Sequence, residues 1–120
     1  MNYDVSFRVK IEGLNKYIEV ESVADITWSV RELIKQSSGW DIKNEDENGF
    51  IKDWIPMIEN GIEELTNNLE KYRQYEAKNG WGTVEGTLGF YKDCLNKYRE
   101  YKNNIFTDKD IFNVTYVYAN

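Results

Sequence analysis

The stretch Asn79-Gly80-Trp81-Gly82-Thr83-Val84-Glu85-Gly86 is where chemistry is most readily placed, because glycines, an indole, a hydroxyl and a carboxylate coincide with a helix start. Glycines let backbone amides approach a ligand closely, and the helix beginning after Thr83 offers unpaired N–H groups and a positive dipole end. Such a place suits a phosphate, or a ribose hydroxyl held by Glu85, with Trp81 stacked on a base. The spacing excludes the two standard nucleotide motifs. In Gly80-x-Gly82-x-x-x-Gly86 the third glycine comes one residue late for the dinucleotide fingerprint, where Glu85 stands. No Lys-Ser or Lys-Thr follows, so it is not a P-loop. The same residues also read as plain structure, with Gly80 ending one helix, Thr83 capping the next, Trp81 plugging the core, and Gly86 and Gly89 letting helices touch.

Other side chains extend the candidate site. Aromatic residues make up 15% of the chain, and Trp28, Trp40, Trp54 and Trp81 all fall at expected element starts or in loops, where pocket walls form. Aromatic walls equally suit a protein-binding surface or a dimer interface. Of the arginines, Arg31 follows the Thr27-Trp28-Ser29 cluster and Arg73 precedes the glycine loop, so these two are the expected cations for a phosphate. The candidate ligand-binding set is therefore Trp28, Arg31, Arg73, Gly80, Trp81, Gly82, Thr83 and Glu85. Asn44-x-Asp46-x-Asn48-Gly49-x-Ile51 resembles part of a calcium loop, but the twelfth position, which needs a bidentate Glu, is Ile55. A solvated loop ahead of a helix is the better reading, and no metal site is assigned.

Composition removes most catalytic classes. The chain has no histidine and one cysteine, which excludes Ser-His-Asp and Cys-His pairs and intrachain disulfides. No catalytic residue and no cofactor is expected, and the protein reads as a non-enzyme. Cys94 sits beside a helical apolar stripe and reads as a packed small hydrophobe. A net charge of −6 argues against general nucleic-acid binding, which needs Lys and Arg along the contact. The same acidity permits imitation of DNA, or serves solubility alone. No apolar run reaches membrane-spanning length, and the first residues lack a basic and apolar leader, so a cytoplasmic protein is expected.

The positioning elements are legible from period. At 120 residues one domain is expected. Tyr3, Val5, Phe7, Val9 and Ile11 alternate with polar residues, giving a strand. Gly13-Leu14-Asn15 turns the chain, Tyr17–Val20 returns as a second strand, and Ser22 to Asp25 loosens. A short helix is expected over Ser29 to Gln36, ended by Ser38-Gly39, and a polar loop from Trp40 to Gly49. Ile51, Ile55, Ile58, Ile62, Leu65 and Leu69 step by four and three, predicting a helix over 53–69 with Asp53 as N-cap, extended by a turn or two through Lys71–Tyr75. Gly61 inside it leaves room for close packing. Val84, Leu88, Tyr91, Leu95 and Tyr98 predict a second long helix from an N-cap at Thr83 to about Lys102. Thr107-Asp108-Lys109-Asp110 turns the chain, and Ile111 to Tyr118 forms a last strand beside the N-terminal hairpin. The expected fold is α+β, a small antiparallel sheet of an N-terminal hairpin plus a C-terminal strand, packed by two long amphipathic helices and a short one.

Ile26-Thr27-Trp28-Ser29, Ile55-Pro56 with Glu59 and Ile62, and above all Asn79–Gly86 followed by Leu88 and Phe90 carry a resemblance. Over roughly residues 1–105 the chain resembles a family of small bacteriophage and bacterial proteins. The resemblance brings no active site. A phage setting implies a role in blocking host defence, either by sequestering a nucleotide-derived immune signal such as a cyclic ADP-ribose isomer, often as an oligomer, or by blocking a CRISPR effector. The leading expectation is a binding protein for a small nucleotide-like ligand, working as a homo-oligomer. The alternative is an acidic protein–protein inhibitor without a small ligand.

Overall fold

The computed structural model describes residues 1–11, 13, 16–104 and 109–120. The fold is α+β, with one antiparallel four-stranded sheet made of β1 (Asn2–Ile11), β2 (Lys16–Thr27), β3 (Asp46–Phe50) and β4 (Thr115–Ala119) in the order β2-β1-β4-β3. Strand β1 (Asn2–Ile11) pairs with β2 (Lys16–Thr27) along its whole length, from Asn2↔Thr27 to Ile11↔Lys16. Gly13 between them has φ +84°, while Leu14 and Asn15 of the expected turn lie outside the described residues. The second strand therefore continues seven residues past Val20, where alternation had been expected to end. The pairing explains why. Val5 faces Ala24 but Ser6 faces Ser22, and Phe7 faces Glu21 but Arg8 faces Glu19, so Val23 and Val20 are the extra residues of two bulges. Each bulge shifts the inward-facing parity by one residue and hides the strand from a period-two reading.

A 3₁₀ turn (Trp28–Val30) leads into α1 (Arg31–Ser38), which Gly39 ends in the left-handed conformation at φ 81°. The expected polar loop contains a strand, β3 (Asp46–Phe50), which pairs with β4 at the sheet edge. It carries no buried apolar face, so nothing in its side chains announces it. The calcium-like residues here serve the fold. Asn48 Oδ1 accepts bonds from Trp40 Nε1 (3.0 Å) and Lys43 N (2.7 Å), and its Nδ2 donates to the carbonyls of Lys43 and Asp46.

Helix α2 (Ile51–Asn67) starts two residues before the expected place, with Phe50 rather than Asp53 at the cap. Pro56 then lies in the second turn, and the carbonyl that its missing N–H cannot serve is that of Lys52, an exposed residue. Helix α3 (Leu69–Tyr72) and a 3₁₀ turn (Arg73–Tyr75) carry the chain on to the glycine loop, after which α4 (Val84–Asn104) begins. Helix α5 (Lys109–Asn113) takes Ile111 and Phe112 out of the expected last strand, because Phe112 packs beside Tyr98 and Tyr101 with ring centroids 5.8 and 6.5 Å apart. Thr107 and Asp108 of the expected turn lie outside the described residues, while Lys109 and Asp110 open α5. Strand β4 (Thr115–Ala119) runs between β1 and β3.

The core lies between the sheet and the pair α2 and α4. Trp40 and Trp54 belong to it and not to a pocket wall. Trp54 meets Trp40 and Phe7 edge-on at 5.6 and 5.7 Å, and Trp40 stacks on Phe90 at 6.2 Å. Helix α4 approaches α2 at Gly61, where an added Cβ would stand 2.5 Å from Tyr91 Cε2. Tyr91 is fully buried, and its hydroxyl is bound to Ser37 Oγ (2.7 Å) and to the Ile34 carbonyl (3.2 Å), so the ring has no room to retreat. Gly61→Ala should therefore destabilise by about 1–3 kcal/mol despite the better helix propensity of alanine, read as a lower urea midpoint. An unchanged or raised midpoint would show that the ring can move aside.

Candidate functional site

The end of β2 and the glycine loop come together at one end of the sheet. The register Asn2↔Thr27 brings the start of the chain alongside, and Trp28 N donates to the Met1 carbonyl at 3.0 Å. The Trp28 ring leans on Tyr3 at 5.9 Å between centroids and keeps 37% of its surface exposed.

The loop is held at successive residues. Gly80 N donates to the Ala77 carbonyl (3.2 Å) with φ at 78°, and Trp81 N donates to Asn79 Oδ1 (2.9 Å). Ser29 Oγ, itself 3.1 Å from Thr27 Oγ1, donates to the Trp81 carbonyl. Gly82, at φ 121°, lies flat against Val30. Thr83 Oγ1 accepts from Gly86 N at 3.0 Å, which makes it the N-cap expected for α4. Trp81 does not plug the core. Its side of the loop faces outward and the residue is 70% exposed.

Trp28 and Trp81 line one open cleft of about 470 Å³. Asn2, Thr27, Ser29 and Asn79 supply polar groups along it, with Met1 at its edge. Gly82 and Thr83 line a smaller groove of about 210 Å³ together with Thr27 and Val30.

The charged members of the expected set are placed elsewhere. Arg31 binds Asp41 through Nη2 at 3.1 Å, and that carboxylate raises its pKa. Arg73 holds Glu85, Glu70 and Glu76, with Nη1 3.1 Å from Glu85 Oε2 and 3.3 Å from Glu76 Oε2. The Glu85 carboxyl is held below its usual range, first by the hydrogen bond from Arg73. Neither arginine lines the cleft, and nor does Glu85. The helix N-terminus is also occupied from within. Glu76 Oε2 accepts from Val84 N at 2.7 Å, so a carboxylate of the chain itself takes the position offered to a phosphate.

Three contributors are not legible in the sequence. Met1 and Asn2 join the cleft only because β1 pairs in register with β2. Glu76 caps α4 from eight residues away, a spacing that belongs to no local capping pattern. Among the described residues no group of three or more His, Cys, Asp or Glu side chains is placed to hold a metal, and no helix is long and apolar enough to cross a membrane. In comparisons with known proteins, no family model, no curated protein and no solved structure matches the chain.

Proposed function

We propose that this is a non-enzymatic binding protein that sequesters a small nucleotide-derived ligand, with Trp28 and Trp81 stacking on its base. The observation that carries this reading is the pair of partly exposed indoles on one cleft, with the Trp81 backbone held by its N–H on Asn79 Oδ1 and by Ser29 Oγ on its carbonyl. Large aromatic surface is held in water only at a cost in free energy, which a flat apolar ligand removes. Asn2, whose Nδ2 also donates to Asp25 Oδ2 at 3.2 Å, and Asn79, whose Oδ1 also accepts from Trp81 N, can offer their remaining amide capacity to the edge of a base. In a phage setting such a protein would remove a nucleotide-derived immune signal from the host, and a homo-oligomeric state belongs to the same proposal. The second reading is an acidic protein–protein inhibitor. It rests on the exposure of Trp81 in a chain of net charge −6, since an exposed tryptophan is a frequent anchor of protein interfaces.

Intrinsic tryptophan fluorescence and thermal shift against adenosine, AMP, ADP-ribose and cyclic dinucleotides test the first reading. A ligand at 100 times its Kd raises stability by about 2.7 kcal/mol. Trp81→Ala should weaken binding by about tenfold or more, since stacking on an aromatic side chain contributes about 1–3 kcal/mol per base. The melting temperature of the unliganded protein should stay close to wild type, because the ring is mostly in water already. Silence from all four ligand classes would leave only the protein–protein reading, and light scattering reports the oligomeric state.

A further inference from the structure

The cleft between the two indoles does not end at Trp28. A second depression of about 340 Å³ shares Met1, Asn2 and Trp28 with it and has Asp4 and Glu45 among its lining residues. Glu45 is set there by a backbone at φ 58°, a left-handed conformation at a non-glycine residue.

Among the described residues lining the two depressions there is no lysine or arginine side chain. Even counting an α-amino group at Met1, Asp4 and Glu45 leave the rim net negative. Arg31 and Arg73 are committed to carboxylates outside the cleft, and the overall charge of −6 adds to the same field. Indole faces also attract cations through the ring quadrupole.

We infer that the cleft centred on Trp28 selects a neutral or cationic heteroaromatic group and turns phosphate away, so that a nucleotide-derived ligand enters by its base with any phosphate left in solvent. This rests on the binding function proposed above and narrows its ligand class. The indoles take the flat faces of the base. Asn2 and Asn79 meet its edge. Asp4 and Glu45 favour a positive ring or an exocyclic amine at the far end.

The test compares three probes on the intact chain by tryptophan fluorescence at neutral pH and low salt. These are adenosine (neutral), 1-methyladenosine (cationic) and AMP (anionic). The expected order of affinity is 1-methyladenosine, then adenosine, then AMP, with about fivefold or more between the first and the last, a gap that narrows as salt is added. The double variant Asp4→Asn with Glu45→Gln should lose most of the preference for 1-methyladenosine over adenosine and narrow the gap between adenosine and AMP. Both side chains are exposed, and Asp4 faces Asp25 across the sheet, so neutralising it relieves a like-charge pair and leaves the fold intact. AMP binding as tightly as adenosine, or a charge preference unchanged in the double variant, would overturn the inference while leaving the binding function standing. Binding of none of the three probes alongside binding of ADP-ribose or a cyclic dinucleotide would also overturn it alone. No binding by any nucleotide-like ligand would overturn both.

Discussion

Gly82→Ala is expected to destabilise the protein by about 2–5 kcal/mol and to abolish the proposed ligand binding with it. Two costs add at this residue. Its φ of 121° lies where an L side chain is strained, and a Cβ there would overlap Val30 Cγ1. Val30 is fully buried and β-branched, so its side chain has one comfortable rotamer and nowhere to swing. The strain can be relieved only by lifting the loop, which breaks the bond from Ser29 Oγ to the Trp81 carbonyl and carries the Trp81 ring away from Trp28. The melting temperature should fall by roughly 10 °C or more. Gly80→Ala separates the two costs, because Gly80 has φ 78° with open space around it and should show the conformational cost alone, about 1–2 kcal/mol. Equal losses in the two variants would show that contact with Val30 contributes nothing.

The second large effect is on alkaline stability. Burial pushes the Tyr91 phenol up to about 12, and burial likewise raises the Cys94 thiol well above its usual value. For both groups the folded state favours the neutral acid. The contribution of Tyr91 is therefore complete below pH 10, the ordinary tyrosine value, and is lost as pH rises towards about 12. The loss amounts to roughly 3 kcal/mol across that window, with Cys94 adding a decline that begins nearer pH 9. Tyr72, raised first by burial and then by its bond to Glu64, adds to the alkaline loss in the same direction. Urea midpoints at pH 8, 10 and 11 should fall accordingly. Tyr91→Phe should make the decline above pH 10 shallower and leave the parts that belong to Cys94 and Tyr72. At pH 8 it should cost only about 1 kcal/mol, because Ser37 Oγ keeps the Leu33 carbonyl and the Ile34 carbonyl keeps Ser38 Oγ. A variant profile parallel to wild type above pH 10 would exclude Tyr91 as the source.

The helices were largely legible from residue type and spacing. The four-and-three stripes predicted α2 and α4 to within two residues at each end, Gly39 ends α1, and Thr83 caps α4. Those features are set within one or two turns of chain, where side-chain period and local hydrogen bonding decide the outcome. The sheet was less so. Two bulges concealed the second half of β2, and β3 exists because β4 offers it backbone partners, a condition its own residues do not state.

The same division runs through the Asn79–Gly86 stretch. The sequence by itself determined that this stretch joins two helices, that its glycines permit positive φ, and that no histidine and a single cysteine are present to build a site. Tertiary structure decided the rest. It turned Trp81 outward beside Trp28, and it gave Arg73 to Glu85. It also placed Glu76 on the helix N-terminus where a phosphate was expected. Charges and hydrogen-bond donors are satisfied by whichever partner lies nearest in space. That partner is fixed by how α2, α4 and the sheet pack, so residue type shows what a side chain can bind and only the fold shows what it has already bound.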